Sequence, residues 1–117
     1  MINSENNKLI AEFLGYSQPH PFYPKTTYWY KQGKEPLVSL SFHSDWNWLM
    51  EVVEQIEKLP LFPNDNSFNV TIGATKYCTI QDSNGEVVEI TAMEETKILS
   101  VYKAVVEFIK WYNVNKN

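Results

Sequence analysis

The fold is decided by residues 68–112, which read FNVTIGATKYCTIQDSNGEVVEITAMEETKILSVYKAVVEFIKWY. Three short segments of this stretch, 68–73, 76–81 and 86–91, alternate apolar and polar residues. A period of two is typical of strands with one buried face. Gly73 and Ala74 can turn the first pair, and the run DSNG at 82–85 favours a hairpin loop for the second. The stretch therefore predicts a three-stranded antiparallel meander.

The end of the same stretch changes to a helical period, which predicts a helix over 95–112. Thr91 and Glu94 stand three residues apart ahead of it, as a capping box requires. The apolar face of this helix is expected to comprise Ile98, Val101, Tyr102, Val105, Phe108, Ile109 and Tyr112.

A second helix is predicted over 45–59. Ser44 is the expected N-cap, and Asp45 places negative charge at the positive end of the helix. Its apolar stripe is Leu49, Val53 and Ile56, broadened by Trp46, Val52 and Leu59, and its polar side carries Glu51, Glu54, Gln55 and Lys58.

A short N-terminal helix is predicted over 4–14, capped by Asn3 or Ser4 and ended by Gly15. Four prolines interrupt the aromatic loop at 17–36, where a short extra strand at 27–31 fits. The expected fold class is α+β: a small antiparallel sheet packed with two long helices and the short one, in a single domain spanning 1–117.

Composition limits the class of protein. The 117 residues are 44% hydrophobic, enough for one packed domain. The sequence lacks the pattern of a signal peptide and the ~20 apolar residues that cross a bilayer, and its one cysteine suits a reducing compartment. We therefore expect a cytoplasmic protein without membrane contact. The net charge of −4 does not favour direct nucleic-acid binding, although that option stays open.

Residues suited to catalysis or metal binding are few and scattered. His20, His43 and Cys78 have no ligand spacing, and Cys78 lies between apolar neighbours in a predicted strand, as a buried thiol does. The four glycines form no phosphate-binding loop. The sequence thus predicts neither an enzyme nor a cofactor or metal site.

Aromatic residues are the unusual feature, because the helices already supply the apolar surface that a core needs. Trp46 and Trp48 lie two residues apart, so in a helix they face different ways. We predict partner-binding residues along two alternative routes. Tyr28, Trp29 and Tyr30, helped by Lys31 and Trp48, can anchor in a protein pocket. Alternatively, the acidic side chains Glu51, Glu54 and Glu57 can meet a basic nucleic-acid channel of the partner and block it. The alternative is that the loop aromatics seal an edge of the sheet.

Three stretches resemble small uncharacterised proteins of Bacteroidota phages and prophages, and the overall scheme is similar to the phage α/β/α sandwich domain family. They are LIAEFLGY at 9–16, FHSDWNWLMEVVE at 42–54 and KILSVYKAVVEFIKWYN at 97–113. The resemblance covers most of the chain except the proline-rich loop and the hairpins. It carries no assigned chemistry, so no catalytic residue is transferred.

The resemblance implies a phage or prophage origin and a non-enzymatic protein that binds host machinery. Its most concrete form is an anti-defence inhibitor, for example of a CRISPR effector nuclease, with a host protein or ribonucleoprotein as partner. The alternative is a self-associating structural or housekeeping phage protein. Val106 and Trp111, which lie off the main stripe of the last helix, motivate that homo-oligomer.

Overall fold

A computed structural model describes residues 2–18, 29–34, 37, 40–59, 68–82 and 88–115. It confirms the α+β class, with three helices and a three-stranded antiparallel sheet. The elements are α1 (Ile2–Phe13), α2 (Trp46–Lys58), β1 (Phe68–Gly73), β2 (Tyr77–Asp82), β3 (Glu89–Met93) and α3 (Lys97–Asn115). They fall into two compact units, Met1–Ser41 and Phe42–Asn117. That the chain acts as one domain stays a prediction.

In the first unit, α1 ends at the glycine that the sequence predicted. Gly15 has a φ of +98°, a conformation that glycine adopts without steric cost. Its N–H donates to Glu12 O at 3.0 Å, and the N–H of Tyr16 donates to Ala11 O at 2.9 Å, which together form a Schellman motif. The predicted start at residue 4 is wrong, because the helix already begins at Ile2.

The expected extra strand at 27–31 is replaced, where the structure describes it, by two isolated antiparallel bridges. Ser17 and Tyr30 exchange two backbone hydrogen bonds of 2.8 Å, and Trp29 and Leu37 exchange two of 2.9 Å. Each bridge is one residue pair long, so neither adds a strand to the sheet. Residues 27 and 28 of the expected strand lie outside the described residues.

In the second unit the sheet order is β1-β2-β3, with Val70 opposite Ile80 and Ile80 opposite Ile90. The inner face contains the fully buried Cys78 and Ile80. The outer face carries a row of threonines across the three strands, Thr71, Thr79 and Thr91. The hydroxyls of Thr79 and Thr91 lie 3.2 Å apart.

The third strand spans Glu89–Met93, so it extends two residues beyond the predicted end at 91, and Val88 is not part of it. Residues 86 and 87 lie outside the described residues. At the other end of the hairpin, Asp82 is the last residue of β2 and is 2% exposed. Its carboxylate accepts from the N–H of Val88 at 3.1 Å. Asp82, which the sequence placed in the hairpin loop, therefore belongs to the strand, and its side chain bridges the two ends of the loop.

The later start of α3 follows from the shifted strand. Thr91 lies within β3, so the predicted capping box of Thr91 and Glu94 is wrong. The helix begins instead at Lys97, and the hydroxyl of Thr96 accepts from the N–H of Leu99 at 3.2 Å, as an N-cap does. Glu94 forms an ion pair of 3.2 Å with Lys103.

Most of the circumference of α3 is buried. Its buried residues are Ser100, Val101, Tyr102, Ala104, Val105, Val106, Phe108 and Ile109. At 100° per residue they leave only a narrow exposed strip, which contains Lys103, Glu107 and Lys110. Val106 is 3% exposed, and Trp111 contacts the rings of Phe68 and Phe108. Val106 therefore provides no free apolar surface of the kind that motivated a homo-oligomer, and Trp111 is half-buried. In the described part of the chain, no helix is long and apolar enough to cross a membrane.

The N-cap of α2 is Asp45 and not the predicted Ser44. The Asp45 carboxylate accepts from the N–H of Asn47 at 2.9 Å and of Trp48 at 3.4 Å. Ser44 precedes the cap and is exposed. The helix then buries Leu49, Val52, Val53 and Ile56, as predicted. Trp46 is 40% exposed, so the prediction that it broadens the apolar stripe is wrong.

We expect Asp45→Ala to lower the free energy of unfolding by ~1 kcal/mol, because two N–H groups lose their acceptor. Urea unfolding followed by circular dichroism measures the change, with Ser44→Ala as the matched control. A larger loss for Ser44→Ala than for Asp45→Ala would contradict this assignment of the cap.

Candidate partner-binding site

The exposed face of α2 carries the acidic half of the predicted site. Glu51, Glu54 and Glu57 are all exposed, as their helical spacing predicted. Six residues separate the first from the last, which is ~9 Å along the helix axis. Within the described residues, none of the three forms an ion pair. This face therefore presents uncompensated negative charge.

The charges on this face work against the helix that carries them. Like charges three residues apart on a helix repel each other. Glu57 also lies in the last turn, where the helix dipole disfavours an anion, while Lys58 in the same turn has the favourable sign. The fold of α2 therefore does not require these carboxylates.

The two tryptophans at the start of α2 have different environments. Trp48 is half-buried and meets the ring of Phe42 edge-on, with a centroid separation of 5.3 Å. Trp46 is 40% exposed. Met50 and Glu54 follow Trp46 by about one and two helical turns, so the three residues lie on the same side of α2. The sequence predicted Trp48 and not Trp46 as a site residue, although their spacing of two residues indicates that they face different ways.

The aromatic half of the predicted site lies in the first unit. Tyr28 is outside the described residues. Trp29 is 6% exposed and is fixed by its backbone bridge to Leu37, whereas Tyr30 is half-buried. A side chain as enclosed as Trp29 presents little surface to a partner. Its role in binding stays a prediction.

Lys31 is already engaged within its own unit. Its ammonium donates to the carbonyl of Leu14 at 2.6 Å and lies 5.7 Å from the ring centroid of Tyr16. A cation at the C-terminus of α1 is favoured by the helix dipole, and an aromatic face attracts it as well. Lys31 thus closes the end of α1 beside Gly15.

The predicted residues consequently divide between the two compact units. Trp29, Tyr30 and Lys31 belong to Met1–Ser41, and the other described members, Trp48 and the three glutamates, belong to Phe42–Asn117. The acidic face of α2, defined by Glu51, Glu54 and Glu57, is the part whose residues are all exposed.

The thiol of Cys78 has no features of a nucleophile. It is fully buried at the second position of β2, and this burial raises the pKa of the thiol to about 11. At neutral pH it is almost entirely protonated, whereas the thiolate is the reactive form. Among the residues that the structure describes, no group of three or more His, Cys, Asp or Glu side chains is arranged to hold a metal ion.

Comparison with known proteins adds no relative: no protein-family profile, curated protein or solved structure matches the chain.

Trp29→Ala is expected to lower the free energy of unfolding by roughly 3 kcal/mol or more, because a large enclosed side chain is replaced by a cavity. Trp46→Ala is the matched control, and its exposed position should limit the loss to less than about 1 kcal/mol. Thermal unfolding of both variants measures the difference. Equal losses would show that Trp29 contributes no more to the core than an exposed tryptophan.

Proposed function

We propose that the protein is a non-enzymatic binding protein of phage or prophage origin that acts on host machinery. Its best concrete form is an inhibitor of a bacterial defence nuclease, for example a CRISPR effector. The partner is a host protein or ribonucleoprotein in the host cytoplasm. The origin rests on the sequence resemblance, and the mode of action rests on the acidic face of α2.

The acidic face carries this proposal because its charge has a cost for the fold and no compensating ion pair among the described residues. RNA-guided nucleases hold their nucleic acids in positively charged channels, where Lys and Arg neutralise the phosphates. A rigid helix that presents three carboxylates over about 9 Å can occupy such a channel. The inhibitor would then exclude the nucleic acid by competing for the same cationic side chains.

Trp46 adds an apolar and aromatic contact at the N-terminal end of the same helix. Partly exposed tryptophan side chains bury a large area on binding, and their rings attract Arg and Lys. A basic partner surface can therefore meet Trp46 and the glutamates together. This combination favours a protein partner with exposed arginines.

The first experiment is co-expression of the protein with a panel of bacterial defence systems, scored by the plating efficiency of a restricted phage. We expect the protein to relieve restriction by at least one nuclease system. Unchanged restriction across a broad panel would contradict the anti-defence function.

A titration of the affected nuclease separates binding from catalysis. A stoichiometric binder abolishes cleavage near a one-to-one ratio to its target, and salt weakens it because the contact is electrostatic. Inactivation at a small fraction of the target concentration would identify an enzyme instead.

The triple variant Glu51→Gln, Glu54→Gln, Glu57→Gln tests the acidic face. We expect inhibition to fall at least roughly tenfold, since several charge-assisted contacts are lost. The melting temperature should stay unchanged or rise, because repulsion along α2 is relieved. Loss of inhibition without loss of thermal stability would indicate that these carboxylates serve function and not folding.

The matched control is the triple variant Glu12→Gln, Glu89→Gln, Glu95→Gln, which changes the net charge equally at three exposed carboxylates elsewhere. It should inhibit like the unmodified protein. Equal loss in both triple variants would mean that net charge, and not the face of α2, governs binding.

A further inference from the structure

The strand β1 lies at an edge of the sheet, and its free side can be identified residue by residue. The N–H of Asp82 donates to Val88 O, so Asp82 directs its backbone groups toward β3. Successive residues of a strand alternate in this direction, so Gln81, Thr79 and Tyr77 direct theirs toward β1. Their partners in β1 are Asn69, Thr71 and Gly73. The backbone groups of the intervening residues, Val70 and Ile72, therefore point to the free edge.

The contact between Thr79 and Thr91 supports this alternation independently. Residues in a pair that is not hydrogen-bonded bring their side chains closer together. Thr79 bonds toward β1, so its pair with Thr91 must be of that kind, and their hydroxyls lie 3.2 Å apart.

The residues of β1 itself, FNVTIG, carry none of the charges or prolines that commonly protect an edge strand against pairing. The other edge strand, β3, carries Glu89. Within the described part of the chain, β1 forms backbone hydrogen bonds to β2 alone. An edge with these properties is open to the addition of another strand.

The apolar side chains on the inner face of the sheet are less completely buried at this edge. In the central strand, Cys78 and Ile80 are fully buried, whereas their partners in β1, Ile72 and Val70, are only half-buried. A strand added beside β1 would cover these two apolar side chains and satisfy their backbone groups at once.

From these observations we propose that β1 is a dimerisation edge, where it pairs antiparallel with β1 of a second copy of this chain to form a continuous six-stranded sheet. In a two-fold symmetric pair, each residue of β1 lies opposite either the same residue of the second copy or the residue equally far from the axis on its other side. A charged strand can therefore bring like charges together, and an uncharged strand such as β1 avoids this repulsion. This favours a second copy over a partner selected by charge. The inference is independent of the acidic face of α2.

The register of the dimer follows from the backbone directions. With the two-fold axis at Val70, Val70 pairs with Val70 of the second copy, and Phe68 pairs with Ile72. The backbone groups of these three residues point to the free edge, and their side chains lie on the inner face of the sheet. Asn69 then lies opposite Thr71 on the outer face. Such an edge buries less area than a standard interface, so the dimer should be weak and reversible.

A charge exchange at the axis tests the proposal in the full chain. We expect sedimentation velocity to show concentration-dependent dimerisation up to loading concentrations on the order of 0.5 mM. Val70→Glu and Val70→Lys should each weaken self-association roughly tenfold or more, because like charges meet at the axis. An equimolar mixture of the two variants should regain the dimer.

Thr91→Glu and Thr91→Lys on β3 are the matched controls, and they should leave self-association unchanged. Where a Val70 variant fails to fold, the pair Asn69→Lys, Thr71→Lys and Asn69→Glu, Thr71→Glu repeats the exchange on the exposed outer face. Three results would overturn the proposal: a monomer throughout, a dimer insensitive to both sets in β1, or a dimer lost on substitution of Thr91.

Discussion

The second unit depends on the burial of α3 around most of its circumference. Such a helix needs neighbours on several sides, and it contacts all three strands and α2. Ser100, fully buried in its first turn, fixes how the helix meets the sheet. Its hydroxyl oxygen lies 2.5 Å from the carbonyl of Lys76 in the β1–β2 turn and accepts from the N–H of Glu94 at 2.9 Å. One small polar group thus joins a turn, a linker and a helix.

The sequence predicted the elements of this fold better than their ends. Periods of two and of 3.6 residues extend over whole segments, so the sheet and both long helices were identified from many residues at once. The ends depend on single polar residues, and neighbours compete for the same role. Ser44 and Asp45 both suit an N-cap, and so do Thr91 and Thr96. Which of two candidates caps the helix depends on the direction in which the chain enters it. That direction is set by contacts between residues distant in sequence, such as the register of β3 on β2.

The same distinction applies to the candidate site. Exposure of Glu51, Glu54 and Glu57 followed from their position opposite an apolar stripe, which is a local property. The exposure of tryptophans is not local, because an aromatic side chain suits a core as well as a surface. Trp29 is buried in a segment whose backbone pairs with a residue eight positions away, and Trp46 lies exposed beside a cap. No count of aromatic residues could distinguish these two environments.

The buried, protonated thiol of Cys78 in β2 makes the chain convenient for site-specific labelling. Burial raises the pKa of Cys78 to about 11, so the thiol is almost entirely protonated at pH 7.5, and no part of it is exposed. A cysteine introduced at an exposed position keeps an ordinary pKa of ~8.5, so far more of it is thiolate at the same pH and it should react much faster with a maleimide. Fluorophores can therefore be attached to either compact unit without replacing the native cysteine, and the distance between the units becomes measurable by energy transfer.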